Sequence, residues 1–184
     1  MSEDREGDPA QDDAESWWKD TETAGRRGHP FQIETTIWLP QPLEEVFGFF
    51  SDAGNLEQIT PSMLGFKILT PRPIDMKVGA LIDYKLRVRF VPLRWRTRIA
   101  AWDPPHRFID EQLRGPYRQW IHEHRFESRD GGTLCRDRVR YIVPGGKLVH
   151  RLVVRRDVEH IFAYRSECLA RIFRTDDTAD SPSP

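Results

Sequence analysis

Two histidines one residue apart, His122 and His124, sit in the run Trp120-Ile-His-Glu-His-Arg-Phe126. A second alternating run, Thr133-Leu-Cys-Arg-Asp-Arg-Val-Arg-Tyr141, follows Arg129-Asp-Gly-Gly132. Asp-Gly is a preferred two-residue hairpin loop, because both central positions need positive φ. Closure there sets Arg129 against Gly132 and fixes the register outward. Phe126 then meets Cys135, His124 meets Asp137, His122 meets Val139 and Trp120 meets Tyr141. One face of the hairpin mixes aromatic rings with imidazoles and a carboxylate. The other carries Glu123 and Arg125 against Arg136, Arg138 and Arg140 and is expected in water. The first face has the composition of a small-molecule pocket rather than of a plain core.

Phe108, Asp110 and Gln112 share a face of the preceding run. A three-residue loop at Gly115-Pro116-Tyr117 sets Asp110 opposite His122 and Gln112 opposite Trp120, giving the wall two carboxylate–imidazole pairs. A carboxylate beside an imidazole raises its pKa and holds one tautomer. Three readings stand: internal hydrogen bonds that fix strand register, groups that orient a ligand, or general acid–base chemistry by His122, His124, Asp110 and Asp137. His-x-His on one strand face is also a spacing used for metals, with Asp110 or Asp137 as the third ligand. The pattern is weak on its own, so neither metal nor cofactor is expected. Tyr84, Trp95, Trp120 and Tyr141 offer flat apolar surface with polar tips, which suits a core and equally a lipid tail, isoprenoid or polycyclic ring. Arg165 interrupts an otherwise apolar helical stripe; snorkelling to the sheet edge is the first reading, pairing with an interior acid or with a ligand anion the others.

These side chains need a sheet and a helix to position them. Residues 31–39 alternate as a first strand, and Pro40 and Pro42 stop it. Leu43, Val46, Phe47 and Phe50 recur at helical spacing, and a second short helix is expected over 53–59. From Gly65 the period becomes two. Residues 66–69 form a short strand, followed by 81–90 with Ile82, Tyr84, Leu86, Val88 and Phe90 inward. In 93–102, Leu93, Trp95, Thr97, Ile99 and Ala101 face inward and Arg94, Arg96 and Arg98 outward. Residues 107–113 precede the hairpin. Pro144-Gly145-Gly146 ends the sheet, and 147–173 has neither Pro nor Gly. Its stripe of Leu148, Leu152, Val154, Val158, Ile161, Arg165, Cys168 and Ile172 predicts one long helix against the sheet. The order predicts an α+β fold: a curved antiparallel sheet of about six to seven strands around a C-terminal helix, with a cavity between them.

The 184 residues carry a formal charge of −1, unevenly spread. Residues 1–30 hold nine acids against four bases and three more acids follow Thr175, which leaves 31–174 at +7. The chain is thus expected to comprise an acidic disordered extension (1–30, with Trp17-Trp18 its only apolar spot), one domain (31–174) and a disordered tail (175–184). Cys135 and Cys168 both fall on inward faces and are expected as reduced core thiols. No signal segment and no membrane-spanning run is legible, so the default compartment is the cytoplasm. The outer arginines (Arg87, Arg89, Arg94, Arg96, Arg98, Arg136, Arg138, Arg140) lack the interleaved aromatics of a single-strand nucleic-acid platform. A solvated, partly neutralised face is expected, with transient membrane-surface contact as the remainder. Phosphate loops, nucleophile elbows and paired-cysteine zinc patterns are absent from the sequence.

The chain resembles the START-like superfamily (SRPBCC, helix-grip), near the polyketide cyclase and coenzyme Q-binding protein-like bacterial ligand-binding members. The resemblance lies in Pro42-Leu-Glu-Glu-Val-Phe-Gly-Phe-Phe-Ser-Asp52, Asn55-Leu-Glu-Gln-Ile-Thr-Pro61, Pro92-Leu-Arg-Trp-Arg-Thr-Arg98, Pro105-His-Arg-Phe-Ile-Asp-Glu-Gln-Leu-Arg-Gly115 and the Trp120/His122/His124/Phe126 strand. It covers 31–173 and implies the helix-grip fold, which hosts carriers, cyclases and regulators alike. The leading expectation is a carrier of a small hydrophobic ligand, lipid, quinone-like or polyketide-like. Its binding residues would be Tyr84, Trp95, Asp110, Gln112, Trp120, His122, His124, Asp137, Tyr141 and Arg165. The alternatives are a cyclase or dehydratase with a His–Asp general base, and an interaction protein acting through the arginine face.

Overall fold

The structure is a computed structural model and describes residues 28–89 and 91–174. The expectations stated above for 1–27, Phe90 and 175–184 lie outside those residues. β1 (Pro30–Leu39) is followed by α1 (Leu43–Ser51), with Pro42 at its N-cap and two acids, Glu44 and Glu45, in its first turn. The expected second short helix is a 3-10 helix, Ala53–Glu57, and a further 3-10 turn follows at Ser62–Leu64. Then come β2 (Lys67–Ile68), β3 (Leu81–Val88), β4 (Val91–Asp103), β5 (Arg107–Arg114), β6 (Gln119–Arg129) and β7 (Gly132–Ile142). These form one antiparallel sheet in the order β1-β7-β6-β5-β4-β3-β2. The final helix, α2 (146–172), is α-helical at Gly146–Val149, takes one π turn at His150–Val154, and is α-helical again from Arg155 to Ile172. This is the helix-grip α+β architecture.

The β6–β7 hairpin closes as its loop chemistry requires: Asp130 has φ 52° and Gly131 φ 79°. Arg129 pairs with Gly132, and outward from there Phe126 pairs with Cys135, His124 with Asp137, His122 with Val139 and Trp120 with Tyr141. On the other side Asp110 pairs with His122, but the β5–β6 pairing ends at Glu111–Ile121.

Two expected phases are corrected. A bulge between Ile99 and Ala101 shifts β4, so Trp102 packs on Phe47 and Phe108 where Ala101 was expected inward. In α2 the π turn takes an extra residue out of phase, which leaves Leu148 61% and Leu152 65% exposed, and Ile172 is exposed at the far end. The buried stripe is Val158, Phe162, Arg165, Cys168 and Leu169.

α2 is held at one side of the sheet. Cys168, Leu169 and Phe173 join Leu39, Val46 and Phe47 in one apolar cluster, while Val158 and Phe162 pack on Val139, Tyr141 and Val143 in a second. Ile68, Ile82 and Ile99 form a third group on the far strands. The helix therefore leans on β1, β7 and α1 and stands away from β3–β5. No helix among the described residues is long and apolar enough to cross a membrane.

Phe47 contacts the rings of Trp102, Phe108 and Phe126 and is a keystone of the first cluster. Phe47→Ala is expected to lower unfolding free energy in urea by about 3–5 kcal/mol. A loss below about 1 kcal/mol, the scale of an ordinary surface change, would show that this cluster does not anchor α1 to the sheet.

Candidate functional site

The space between α2 and β3–β5 is a cavity of about 900 Å³, near the top of the roughly 300–1,000 Å³ range for small-molecule pockets. Seven of the ten expected ligand residues line it: Tyr84, Trp95, Asp110, Trp120, His122, His124 and Arg165. Gln112, Asp137 and Tyr141 do not, and each for a local reason. The Gln112 amide turns to the β5–β6 loop, donating from Nε2 to the Tyr117 carbonyl at 2.7 Å and accepting from the Tyr117 N–H at 3.3 Å. Asp137 lies behind the two imidazoles. The Tyr141 hydroxyl is engaged by His150 Nε2 at 3.0 Å, on a ring that stacks on Phe31.

One wall is aromatic. Tyr84 stacks on Trp95 with centroids 5.8 Å apart, and Trp95 meets the edge of Trp120 at 5.5 Å. The Trp95 indole donates to Thr97 Oγ1 at 3.1 Å, and the Tyr84 hydroxyl is 3.0 Å from the same oxygen. Thr97 thus satisfies the polar tips and leaves the ring faces to the cavity. Burial with nearby Asp110 pushes the Tyr84 phenol upward, so it stays neutral.

The opposite wall is polar and densely connected. His122 and His124 are buried, with ring centroids 3.7 Å apart, and His124 stacks on Phe108 at 4.1 Å. The sequence pairs each imidazole with one acid; instead both rings share both acids. Asp110 Oδ2 lies 3.1 Å from His124 Nε2 and 3.6 Å from His122 Nδ1. Asp137 Oδ1 lies 3.2 Å from His122 Nε2 and 2.7 Å from His124 Nδ1, the latter off the line a hydrogen bond needs. Arg165 does not snorkel. It is 9% exposed, its Nε is 3.4 Å from Asp137 Oδ2, and its guanidinium carbon sits 5.2 Å from the Phe50 ring centre.

Burial alone would raise the Asp137 carboxyl, but Arg165 and the two imidazoles hold it well below the usual carboxylate range. Burial and the neighbouring His124 push His122 down. Burial would also lower His124, yet the charge of Asp137 and the hydrogen bond to Asp110 raise it. The two rings shift in opposite directions because His124 lies closer to both carboxylates than His122 does.

Two positions missed by sequence reading border the same cavity. Asp157 on α2 accepts from Arg89 Nε at 3.0 Å and Nη2 at 3.2 Å, tying the helix to the β3–β4 turn. Arg89 was expected on the outer face; its φ of 49° in the turn re-aims it toward the helix. Phe162 faces His122 edge-on at 5.5 Å. It is absent from the expected stripe, which took the adjacent Ile161 at that turn of the helix.

The outer face also differs from expectation. Glu123 is only 2% exposed, and Arg140 is buried as well. Arg125 Nε approaches Glu123 at 2.9 Å, with Arg107 at 3.9 Å and Arg138 at 4.0 Å, so the arginines themselves enclose the acid. Arg96 forms a two-bond pair with Asp83, and Arg98 pairs with Glu111. Much of the ladder is internally neutralised.

Comparison with known proteins follows the fold. The family model described as "Polyketide cyclase / dehydrase and lipid transport" matches residues 39–163. Among solved structures, protein CV1439 from Chromobacterium violaceum superposes with TM-score 0.62 at 17% identity, over 79% of this chain and 98% of that one. TTHA0849 from Thermus thermophilus gives TM-score 0.61 at 15% identity, over 78% and 100%. The ginseng major latex-like protein 151 from Panax ginseng gives 0.60 at 10%, over 80% and 100%. These likenesses are of fold. No curated protein matches the chain.

Arg165→Met strands the Asp137 charge and is expected to lower stability by about 3–5 kcal/mol, with Asp137→Asn on the same background restoring part of it. Urea titration of the two single variants and the double variant reads the coupling. Additive losses would mean that Arg165 and Asp137 do not act as a pair.

Proposed function

We propose that this chain, which belongs to the polyketide cyclase / dehydrase and lipid transport family, binds and carries a small hydrophobic molecule in the cavity between its sheet and its C-terminal helix, as a cytoplasmic protein. The observation that carries this reading is the cavity of about 900 Å³ with aromatic faces on one wall and the buried cluster of Asp110, His122 and His124 on the other. Such a lining takes an elongated or polycyclic apolar body and one polar end. A guest that buries about 300 Å² of apolar surface gains roughly 7 kcal/mol before the cost of association. Asp110, His122 and His124 would orient the polar end, while Thr97 Oγ1 on the aromatic wall serves the tips of Tyr84 and Trp95.

A second reading has one observation in its favour: both imidazoles face the cavity with a carboxylate beside them. That is the equipment of a general base acting on an activated C–H of a polyketide-like substrate. The carrier reading does not need turnover, and substituting both histidines by Phe separates the two by removing reaction while leaving apolar binding.

Two measurements test the carrier reading. N-phenyl-1-naphthylamine should bind the wild-type chain once, quenching tryptophan emission. Leu86→Trp, which fills the cavity from β3, should weaken it at least about tenfold, or 1.4 kcal/mol. No saturable binding, or equal affinity in the filled variant, overturns the proposal. Separately, the Arg89–Asp157 tie should govern exchange. Arg89→Gln is expected to speed probe association and dissociation together, roughly three- to tenfold, with little change in affinity; a change confined to affinity would place Arg89 on the ligand instead.

A further inference from the structure

We infer that His122, His124 and Asp110 form a three-ligand site for a divalent transition-metal ion on the cavity wall. Sequence spacing alone did not justify a metal; the three-dimensional arrangement does. One ligand atom from each residue falls within 4.8 Å of the other two. Asp110 Oδ2 stands 3.1 Å from His124 Nε2 and 3.6 Å from His122 Nδ1. Ligand atoms bound to one ion at about 2.0–2.2 Å are themselves about 3.0–3.4 Å apart. Hydrogen bonding accounts for the cluster less well. The 3.6 Å separation is too long for a hydrogen bond, and His124 Nδ1 is buried without a well-directed partner.

The remaining ring nitrogens both lie beside one carboxylate, and that of His122 has the hydrogen bond a metal-bound imidazole requires. His122 Nε2 and His124 Nδ1 both turn to Asp137, at 3.2 and 2.7 Å. A carboxylate behind a ligating histidine fixes the ring and its tautomer. Asp137 is in turn held by Arg165. The three ligands line the cavity and Asp137 does not, so the ion's open positions point at the guest. Two nitrogens and an oxygen suit Zn²⁺, Fe²⁺ or Mn²⁺ over Mg²⁺ or Ca²⁺, and three protein ligands with an open position are the pattern of a site that meets a ligand. The inference deepens the carrier reading, because the ion would receive an oxygen of the guest's polar end; ion binding itself stands without it.

The full chain, stripped with a chelator and desalted, is titrated with Co²⁺ followed by visible absorption, and with Zn²⁺ in competition against a chromophoric chelator. One equivalent should bind and give ligand-field bands. Asp110→Asn should abolish the bands, and Asp137→Asn, as a positioning change, should weaken Zn²⁺ roughly 10–100-fold. No stoichiometric binding, or wild-type affinity in Asp110→Asn, overturns the inference. Circular dichroism confirms that the variant folds; otherwise His124→Gln carries the same test. N-phenyl-1-naphthylamine binding is measured on the same samples with and without Zn²⁺. Probe binding without ion binding defeats the metal site alone, whereas ion binding without probe binding defeats the carrier reading alone.

Discussion

A buried carboxylate on the inner face of β7 constrains the rest of the interior. Asp137 is fixed there by the register of the β6–β7 hairpin, which the Asp130-Gly131 loop sets. Out of water, its charge needs compensation from at least one cation and several donors. The sheet offers His122 and His124 from the neighbouring strand, and the helix offers Arg165. That last contact fixes the rotation of α2. With Arg165 turned to β7, Phe162 faces His122, while Cys168 and Leu169 reach the cluster with Leu39 and Phe47. The helix consequently rests on β7, β1 and α1, and the space over β3–β5 stays open. A polar pair thus decides where the apolar cavity lies.

How much of this could be read from the chain depends on how local each determinant is. The hairpin register was legible to the residue, because loop chemistry and period-two alternation both act over adjacent positions. The fold class was legible for the same reason, through the order of periodic segments. Errors arose wherever one extra residue enters a periodic element. The π turn at His150–Val154 exposes Leu148 and Leu152, and the β4 bulge exchanges Ala101 for Trp102. No propensity in either segment announces the insertion, since tertiary packing selects it. Polar partners between distant elements were the least legible. Neither the Arg165–Asp137 pair nor the Arg89–Asp157 tie has a spacing signature. Likewise, alternation sends Glu123 to water, whereas three arginines from β5, β6 and β7 enclose it.

Of the residues expected at the site, those on β3–β6 that face the helix do line the cavity, because alternation alone places them. The three that do not were diverted by partners at short range. Gln112 closes its own turn, Tyr141 meets His150 from the start of α2, and Asp137 stands one layer back. Inward direction on a strand is therefore weaker than contact with a cavity: it requires in addition that no nearer partner takes the side chain.

The cavity itself is the feature least explained by folding. An unfilled apolar volume forfeits dispersion contacts along its whole lining. Scaled at about 24 cal/mol per Å³, an upper bound where water can enter, a void of this size would exceed the roughly 5–15 kcal/mol that stabilises a domain. Rigid props keep it open: Tyr84, Trp95 and Trp120 brace one another, and Thr97 fixes the polar tips of the first two. Bracing of that kind spends little on ordering the wall when a guest enters, which favours affinity over adaptability. A guest that binds only the folded chain also adds its own binding free energy to stability. On the proposed function, the apolar void and the polar cluster on its wall would be one device, in which occupancy would offset the packing that the open sheet forgoes.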